Sequence, residues 1–301
     1  PAKRPHKVIF GKSDCAVVGD PEKAMVSPVA IEDDYFWMRD DSRTSKHVLD
    51  HLRQENAFTN FKTLRLRRRS RALYEELLSH TQETDIGVPA RHGSFVYYSR
   101  TLQGSSYIYH CRKAILDNGE FGEEHLLLDE NEIARGRAHC DVADIASSPD
   151  HTILAYSVDF TGNEKYDILF LDIASGTIMS ENTVTETNGY IEWGKDKSTV
   201  YYGSMDAAHR SNKVWCHEMA IYGSPPKSDI CLYTEADEMF SVYFSKSLSG
   251  RFIFINSVSS LTSESRYVDL DASRNEIHLI AERVHNVLYS AHHKGNDQFL
   301  I

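Results

Sequence analysis

The sequence predicts a mainly β fold, a series of β-propeller blades behind an α-helical N-terminal segment. Three observations carry that prediction. Residues 46–81 contain no glycine or proline and repeat apolar positions at helical spacing. From residue 81 onward the chain breaks into short β runs rich in Val, Ile, Tyr and Phe. Turn pairs that precede a strand recur at steps of 46 to 56 residues, a blade-sized period.

Taken in order, residues 1–45 are rich in proline and charge and include the acidic aromatic block Glu32-Asp33-Asp34-Tyr35-Phe36-Trp37-Met38-Arg39-Asp40-Asp41. Val48, Leu49, Leu52, Phe58, Phe61, Leu64, Leu73, Leu77 and Leu78 then recur three and four residues apart. That spacing predicts one long helix, or two with a break near Arg67–Ser70, capped by Ser42 or Ser45. The basic run Arg65-Leu66-Arg67-Arg68-Arg69-Ser70-Arg71 lies inside it. Such a run can mark a nucleic-acid or nuclear-import patch. With Glu75 and Glu76 close behind, it reads instead as a solvated or ion-paired helix face.

The turn pairs are Gly93-Ser94, Pro149-Asp150, Lys195-Asp196, Ser249-Gly250 and Gly295-Asn296. Grouping begins with the strand after each pair. FVYYSR leads to SYIYHCRKA, EHLLLD and CDVADIAS; ILAYSVD leads to YDILFLDIASG, TIMSEN and GYIEWG. TVYYGSM leads to KVWCHEM, DICLYTE and FSVYFS; FIFINSV leads to SRYVDLD, IHLIAER and VLYSAHH. Four strands per period is a propeller blade, whereas an irregular β-sandwich has no reason to repeat in fours. The reading is a helical region over 1–80 and an incomplete propeller over 81–301, about four blades plus the start of a fifth. Since a propeller must close its ring, the expectation is that the polypeptide continues beyond Ile301.

Composition narrows the function classes. The 301 residues carry a formal net charge of -11, which argues against a general nucleic-acid binder. No stretch approaches the ~18 apolar residues of a membrane span, and residues 1–11 lack the apolar core of a signal peptide. Cys15, Cys111, Cys140, Cys216 and Cys231 are odd in number and far apart, with no C-x-x-C, so no disulfide framework or cysteine zinc site is indicated. A cytoplasmic protein without cofactor or metal is expected. No H-E-x-x-H occurs, and the histidines read as surface or strand-end residues. Asp269-Leu270-Asp271 opens like a calcium loop, but Arg274 and Ile280 stand where its glycine and its bidentate glutamate belong. A serine hydrolase of the α/β type needs G-x-S-x-G at its nucleophile elbow, and none is present. One loop stands out, Asp159-Phe160-Thr161-Gly162-Asn163-Glu164-Lys165-Tyr166, at one end of the second blade, where ligands or partner domains meet a propeller. An ordinary polar hairpin is the alternative.

Several stretches, taken in order, resemble the oligopeptidase B group of the prolyl oligopeptidase family of serine peptidases, with a flavour closest to its trypanosomatid members. They are EDDYFWMRDDSR (32–43), HVLDHLRQENAF (47–58), YEELLSH (74–80), SFVYYSRTLQGSSYIYHCRK (94–113), SPDHTILAYSVDFTGNEKYDILFLDIASG (148–176), VWCHEM (214–219) and SGRFIFINSVSSLTSESRYVDLD (249–271). The resemblance implies a helical extension leading into a seven-bladed propeller, with the extension packing on a C-terminal α/β-hydrolase domain that is absent from this chain. It implies a peptidase cleaving short basic peptides after Arg or Lys, its propeller screening substrates by size. No position here inherits a catalytic role, and the chain alone should be inactive. Glu164 becomes a candidate for contacting substrate or the facing domain. The competing reading is a non-catalytic propeller that serves as a binding scaffold. A propeller glycosidase or lyase would need convergent carboxylates or metal ligands that no spacing suggests.

Overall fold

The computed structural model describes residues 1–10, 29–221, 223, 225, 227–272, 275–295 and 298–301. Cys15, Arg274 and Asn296, on which three of the sequence expectations rest, lie outside the described residues. The chain divides into two compact units, Pro1–Gln82 and Glu83–Ile301.

In the first unit, β1 (His6–Phe10) pairs antiparallel with β2 (Val29–Asp33), His6 opposite Asp33. The helical stretch is two helices, α1 (Lys46–Thr63) and α2 (Arg67–Ser79), joined by a 3₁₀ turn at Leu64–Leu66. The break thus falls just before the expected position. Thr63 Oγ1 donates to the Thr59 carbonyl at 2.8 Å, a back-bond that bends helices without Gly or Pro. Ser45 is at the N-cap position of α1, yet its hydroxyl caps nothing. Asp40 anchors the entry to the helix instead, its carboxylate accepting from the Ser45 amide at 2.6 Å and from the Ser42 hydroxyl at 2.6 Å.

The second unit is a succession of antiparallel sheets. The first holds β3 (Asp85–Ile86), β4 (Ala90–His92), β5 (Phe95–Thr101), β6 (Tyr109–Ile115) and β7 (Phe121–Asp129), followed by the single turn α3 (Glu130–Ile133). The next run is β8 (Asp141–Ser147), β9 (Ile153–Asp159), β10 (Tyr166–Asp172), β11 (Thr177–Ile178), β12 (Val184–Trp193), β13 (Thr199–Met205), β14 (Ser211–Glu218) and β15 (Ile230–Thr234). β16 (Ser241–Lys246), β17 (Phe252–Val258), β18 (Ser263–Asp269) and β19 (Ile277–Ala281) form a four-stranded sheet, and β20 (His292–Gly295) pairs with β21 (Gln298–Leu300). Among the described residues no sheet closes on itself.

The four-strand period is present, but its phase is one strand earlier than the sequence grouping. CDVADIAS and FSVYFS each lead the following sheet instead of ending the preceding one, and GYIEWG joins two four-strand groups into one eight-stranded sheet, β8 to β15. The turn pairs used as boundaries are in fact tight hairpins between the first and second strands of a sheet. The closing bonds repeat: Ser148 N–H to the Ile153 carbonyl, Gly194 to Thr199 and Ser247 to Phe252, each at 2.8 Å.

These sheets bury both faces, so alternate residues of one strand serve two cores. In β9 all seven residues are buried. Leu154, Tyr156 and Val158 pack with Leu127 and Leu128 of the sheet before, while Ile153 and Ala155 join Trp193, Val200 and Tyr202 of the sheet after. Tyr201 faces the other way from its neighbours and packs with Val242, Ile253 and Ile255. This explains the near-continuous apolar character of the second strands, where one-sided strands would alternate.

β12 is the crossing point. Its start pairs with β10 (Ile168 opposite Val184) and its end with β13 (Trp193 opposite Val200). The strand turns at Gly189, whose φ is +90°. A Cβ there would lie 2.9 Å from the Ala143 Cβ and 3.0 Å from the Tyr166 ring. The Thr187 hydroxyl fixes the corner, donating to the Tyr166 carbonyl at 2.9 Å and accepting from the Gly189 amide at 3.1 Å. Replacing Gly189 with alanine should cost roughly 2–4 kcal/mol of stability, from positive-φ strain and steric overlap together. Denaturant unfolding of the variant checks this, and an unchanged midpoint would show that the corner relaxes.

Candidate functional site

The loop singled out in the sequence is built on one carboxylate. Asp159 ends β9 at 2% exposure. Its Oδ1 accepts from the Thr161 amide at 2.7 Å, the Gly162 amide at 3.1 Å and the Thr161 hydroxyl at 2.9 Å, and its Oδ2 accepts from the Glu164 amide at 2.9 Å. Burial pushes the Asp159 carboxyl up, but these hydrogen bonds outweigh it and hold the group below the usual carboxylate range. Gly162 and Glu164 both take positive φ, +78° and +60°. The chain thereby turns twice within five residues and leaves the Glu164 side chain exposed at the tip.

Around the tip, the Arg137 guanidinium lies 3.5 Å from the Phe160 ring centroid, and Lys165 Nζ is 3.2 Å from a Glu186 oxygen. The Tyr166 hydroxyl donates to Asp141 at 2.6 Å; burial and that carboxylate raise the phenol. Asp141, Asp159, Glu164 and Tyr166, together with His139 and Asn188, border a pocket of about 380 Å³. Glu164 is its exposed acceptor, whereas the Asp141 and Asp159 carboxylates already receive protein hydrogen bonds. The arrangement suits binding, with one carboxylate free to meet a cationic or hydrogen-bonding group.

A larger cavity, about 620 Å³, lies towards the other end of the same strands. Tyr97, Tyr98, His110, Glu192, Trp193 and Lys246 line it. Ser147, at the far end of β8 from Asp141, also lines it, about 20 Å along the strand by extended geometry. The leading strands are clipped together beside it. Asp144 Oδ2 accepts from the Ile191 amide at 3.0 Å, and Glu192 Oε1 accepts from the Lys246 amide at 2.9 Å. Lys246 Nζ donates to the carbonyls of Trp193 at 2.9 Å and Gly194 at 2.6 Å. Burial raises the Asp144 and Glu192 carboxyls and lowers the Lys246 ammonium, each only partly offset by its partners.

Reading the sequence missed these clips, although an acidic residue inside an otherwise apolar strand (VADIA, YIEWG) was the available signal. Not every histidine lies at the surface. His217 is next to the end of β14 and is buried at 5% exposure, hydrogen-bonded to Asp229 at 2.8 Å and stacked on Phe170. His151 packs between the rings of Phe95 and Tyr97 and is hydrogen-bonded to the Tyr97 hydroxyl at 2.8 Å. In the first unit His47 and His51, four apart on α1, flank the Trp37 ring at 4.6 and 5.6 Å. Among the described residues no group of three or more His, Cys, Asp or Glu could hold a metal. The four described cysteines are free, and burial pushes the Cys216 thiol up to about 12. Among the described residues no helix is long and apolar enough to cross a membrane.

Asp159 and Asp144 predict opposite pH behaviour. A lowered carboxyl contributes stability above its unfolded pKa of about 3.9, and that contribution is lost as pH falls. A raised one favours the fold at low pH and loses ground as pH rises through the folded value. Asp159→Asn should cost about 1–3 kcal/mol at pH 7, with the deficit shrinking towards pH 3. Asp144→Asn should remove a decline in stability present in the parent between about pH 4 and 7. Urea unfolding of the parent and both variants from about pH 2.5 to 7 measures the two slopes, and slopes of the same sign would refute the assignment.

Comparison with known proteins gives a consistent picture. The family model "Prolyl oligopeptidase, N-terminal beta-propeller domain" matches residues 18–301. Protease 2 of Moraxella lacunata is 30% identical over 273 residues, 90% of this chain and 39% of that protein. The structure superposes on oligopeptidase B from Leishmania major with a TM-score of 0.88 and 33% identity, over 98% of this chain and 41% of that one. For oligopeptidase B from Trypanosoma brucei with covalently bound antipain, in its closed form, the values are 0.87 and 36%, over 99% and 41%. The chain therefore spans about two fifths of the length of the proteins it matches.

Proposed function

The chain belongs to the prolyl oligopeptidase family as its N-terminal β-propeller domain, and from that premise we propose that it is the access-controlling part of an oligopeptidase of the oligopeptidase B type. The observation that carries this reading is the end-to-end match to two oligopeptidase B structures, at TM-scores of 0.88 and 0.87. In the proposed enzyme a serine of a C-terminal α/β-hydrolase domain attacks the peptide carbonyl, a histidine takes its proton, and an aspartate orients the imidazole. Cleavage follows Arg or Lys in short peptides, and carboxylates in the pocket recognise the basic side chain. The helical region over 1–80 packs on that catalytic domain. The propeller excludes folded proteins by size, and separation of the two domains admits peptides. The enzyme works in the cytoplasm without cofactor.

This chain contributes no triad residue in that scheme; its part is the rim. Glu164 projects from the loop pinned by Asp159 and meets substrate or the facing domain. Within the protein that carries a hydrolase domain, Glu164→Gln should lower kcat/KM for basic dipeptide substrates about tenfold, the loss of one charge-assisted contact. Unchanged kcat/KM would remove Glu164 from the binding rim.

The broader reading has its own test. A serine-directed fluorophosphonate should leave the 301-residue chain unlabelled and label the protein that joins it to a hydrolase domain. The coding sequence after Ile301 should contain G-x-S-x-G, then Asp, then His. A stop codon in its place would favour the binding scaffold.

A further inference from the structure

At the end of the strands opposite Glu164, the tight hairpins are tied to their neighbours by complementary groups, with one exception. Lys197 Nζ reaches Asp150 of the preceding hairpin at 2.7 Å, and Lys195 Nζ reaches Asp271 of the following strands at 2.6 Å. Ser249 Oγ is hydrogen-bonded to His293 Nδ1 at 2.7 Å. Between the first two hairpins, His92–Phe95 and Ser148–Ile153, basic groups meet instead. The His92 and His151 rings stand edge to face with centroids 4.8 Å apart, and Arg112 Nη1 donates to the His151 carbonyl at 2.7 Å. Exposed Arg91, whose Nε donates to the Gly93 carbonyl at 3.3 Å, adds a further positive charge. The one carboxylate in these two hairpins, Asp150, is occupied by Lys197 and by the Ser148 and Thr152 hydroxyls.

Two further observations single out this junction. Arg112 is 8% exposed and makes no ion pair among the described residues, and its Nε is buried with no hydrogen-bond partner. The Phe95 ring lies 4.3 Å from the guanidinium carbon, which softens the charge without neutralising it. Arginine is almost never fully buried unless it is paired. His151 takes φ +62° where the matching turn of the β16–β17 hairpin has Gly250 at +74°, so an imidazole is kept at a position that favours glycine. Its Nδ1 is hydrogen-bonded to the Tyr97 hydroxyl, and its Nε2 has no partner among the described residues. Gly93 makes room for that nitrogen, since a Cβ there would lie 2.5 Å from it. We propose that His92, His151 and Arg112 form a binding site for a small tetrahedral oxyanion of the phosphate class, the counter-ion that this junction lacks.

The imidazoles make such a site proton-linked. Burial, His92 and the Arg112 charge together hold the His151 imidazolium below its usual range, against a smaller pull upward from Asp150. An anion between the three groups reverses the sign of that field and favours the charged rings. Binding therefore takes up protons, and affinity rises as pH falls through the imidazole range. His92 and Tyr97, with Ser147, line the cavity of about 620 Å³, which supplies a route for the ion. The ion needs none of the bonds made by Asp144, Glu192 and Lys246, so it enters without opening those clips. Every group named lies between strands of this chain, away from the rim around Glu164.

The experiment titrates sulfate into the protein that carries a hydrolase domain, by calorimetry at a constant ionic strength set with chloride. Sulfate stays a dianion throughout, so any pH dependence belongs to the protein. One site per chain is expected, with a Kd of about 1 mM or tighter at about pH 5.5 and about tenfold weaker at about pH 7.5. The heat should change with the ionisation enthalpy of the buffer, the mark of proton uptake. His92→Asn should weaken binding about tenfold and reduce the uptake, and Arg112→Met should abolish binding. His92 is exposed, so its variant carries the test even where the Arg112 variant does not fold. Inorganic phosphate and methyl phosphate, each competing with sulfate, separate the free ion from a phosphomonoester by which of them displaces it at lower concentration. No saturable heat above the chloride control would overturn the proposal. So would binding unchanged in His92→Asn, binding that does not vary with pH, or sulfate that neither phosphate displaces.

Discussion

Two-sided burial governs the second unit. The inner groups of strands have a neighbour on both faces, so a second strand such as Ile153–Asp159 cannot alternate apolar and polar residues. Odd and even positions point into different cores, with Leu154 and Tyr156 towards one sheet and Ile153 and Ala155 towards the other. Burying a residue of this size is worth about 1.5–3 kcal/mol. A single large-to-small change in such a strand therefore loosens the contact between two sheets, beyond any change within one. The same geometry restricts polar chemistry to the strand ends, since a polar group in mid-strand must find a partner in a dry interface. Ser157 in β9, whose hydroxyl donates to the Gly189 carbonyl at 2.7 Å, is one that does.

The leading strands meet a different demand. Beyond the start of β12, which pairs with β10, their outer edges lack the backbone ladder that joins strands within a sheet, and unpaired amides there would go unsatisfied. Asp144 and Glu192 answer it in the same way, each accepting an amide from the leading strand of the next sheet. The solution costs something, because burial disfavours both charged carboxylates. An apolar side chain would leave the amide orphaned, at about 1–3 kcal/mol, which is why acids persist inside these strands.

Much of this was legible in the residues themselves. The helical stretch, the β content, the four-strand period and the turn pairs all followed from spacing and turn chemistry. The phase of the period was not, because a tight hairpin and a boundary between sheets present the same Pro-Asp or Ser-Gly signal in one dimension. Only the pairing of Ser148 with Ile153, repeated at Gly194 and Ser247, separates them. The Asp159 loop was found from its composition, but the reason for its rigidity was hidden. One carboxylate collecting three amides and a hydroxyl is a property of folded geometry. The clips at Asp144 and Glu192 join residues 47 and 54 positions apart, a separation beyond the reach of local pattern reading.

The contrast between the two ends of these strands bears on where such a scaffold can meet a ligand. At the end carrying Glu164, the backbone is pinned by Asp159 and the side chain projects freely, so loop-tip chemistry can change without disturbing the core below. At the other end, Glu192, Trp193 and Lys246 are bound into contacts between sheets, and any ligand entering there must compete with bonds that hold the sheets together. A recognition surface evolves more easily where side chains are structurally idle. Specificity should therefore accumulate at the rim, while the cavity residues stay constrained by the clips they form. This asymmetry follows from the hydrogen bonds alone, and it sets Glu164 apart from the buried carboxylates as the acidic side chain best placed to meet something other than its own fold.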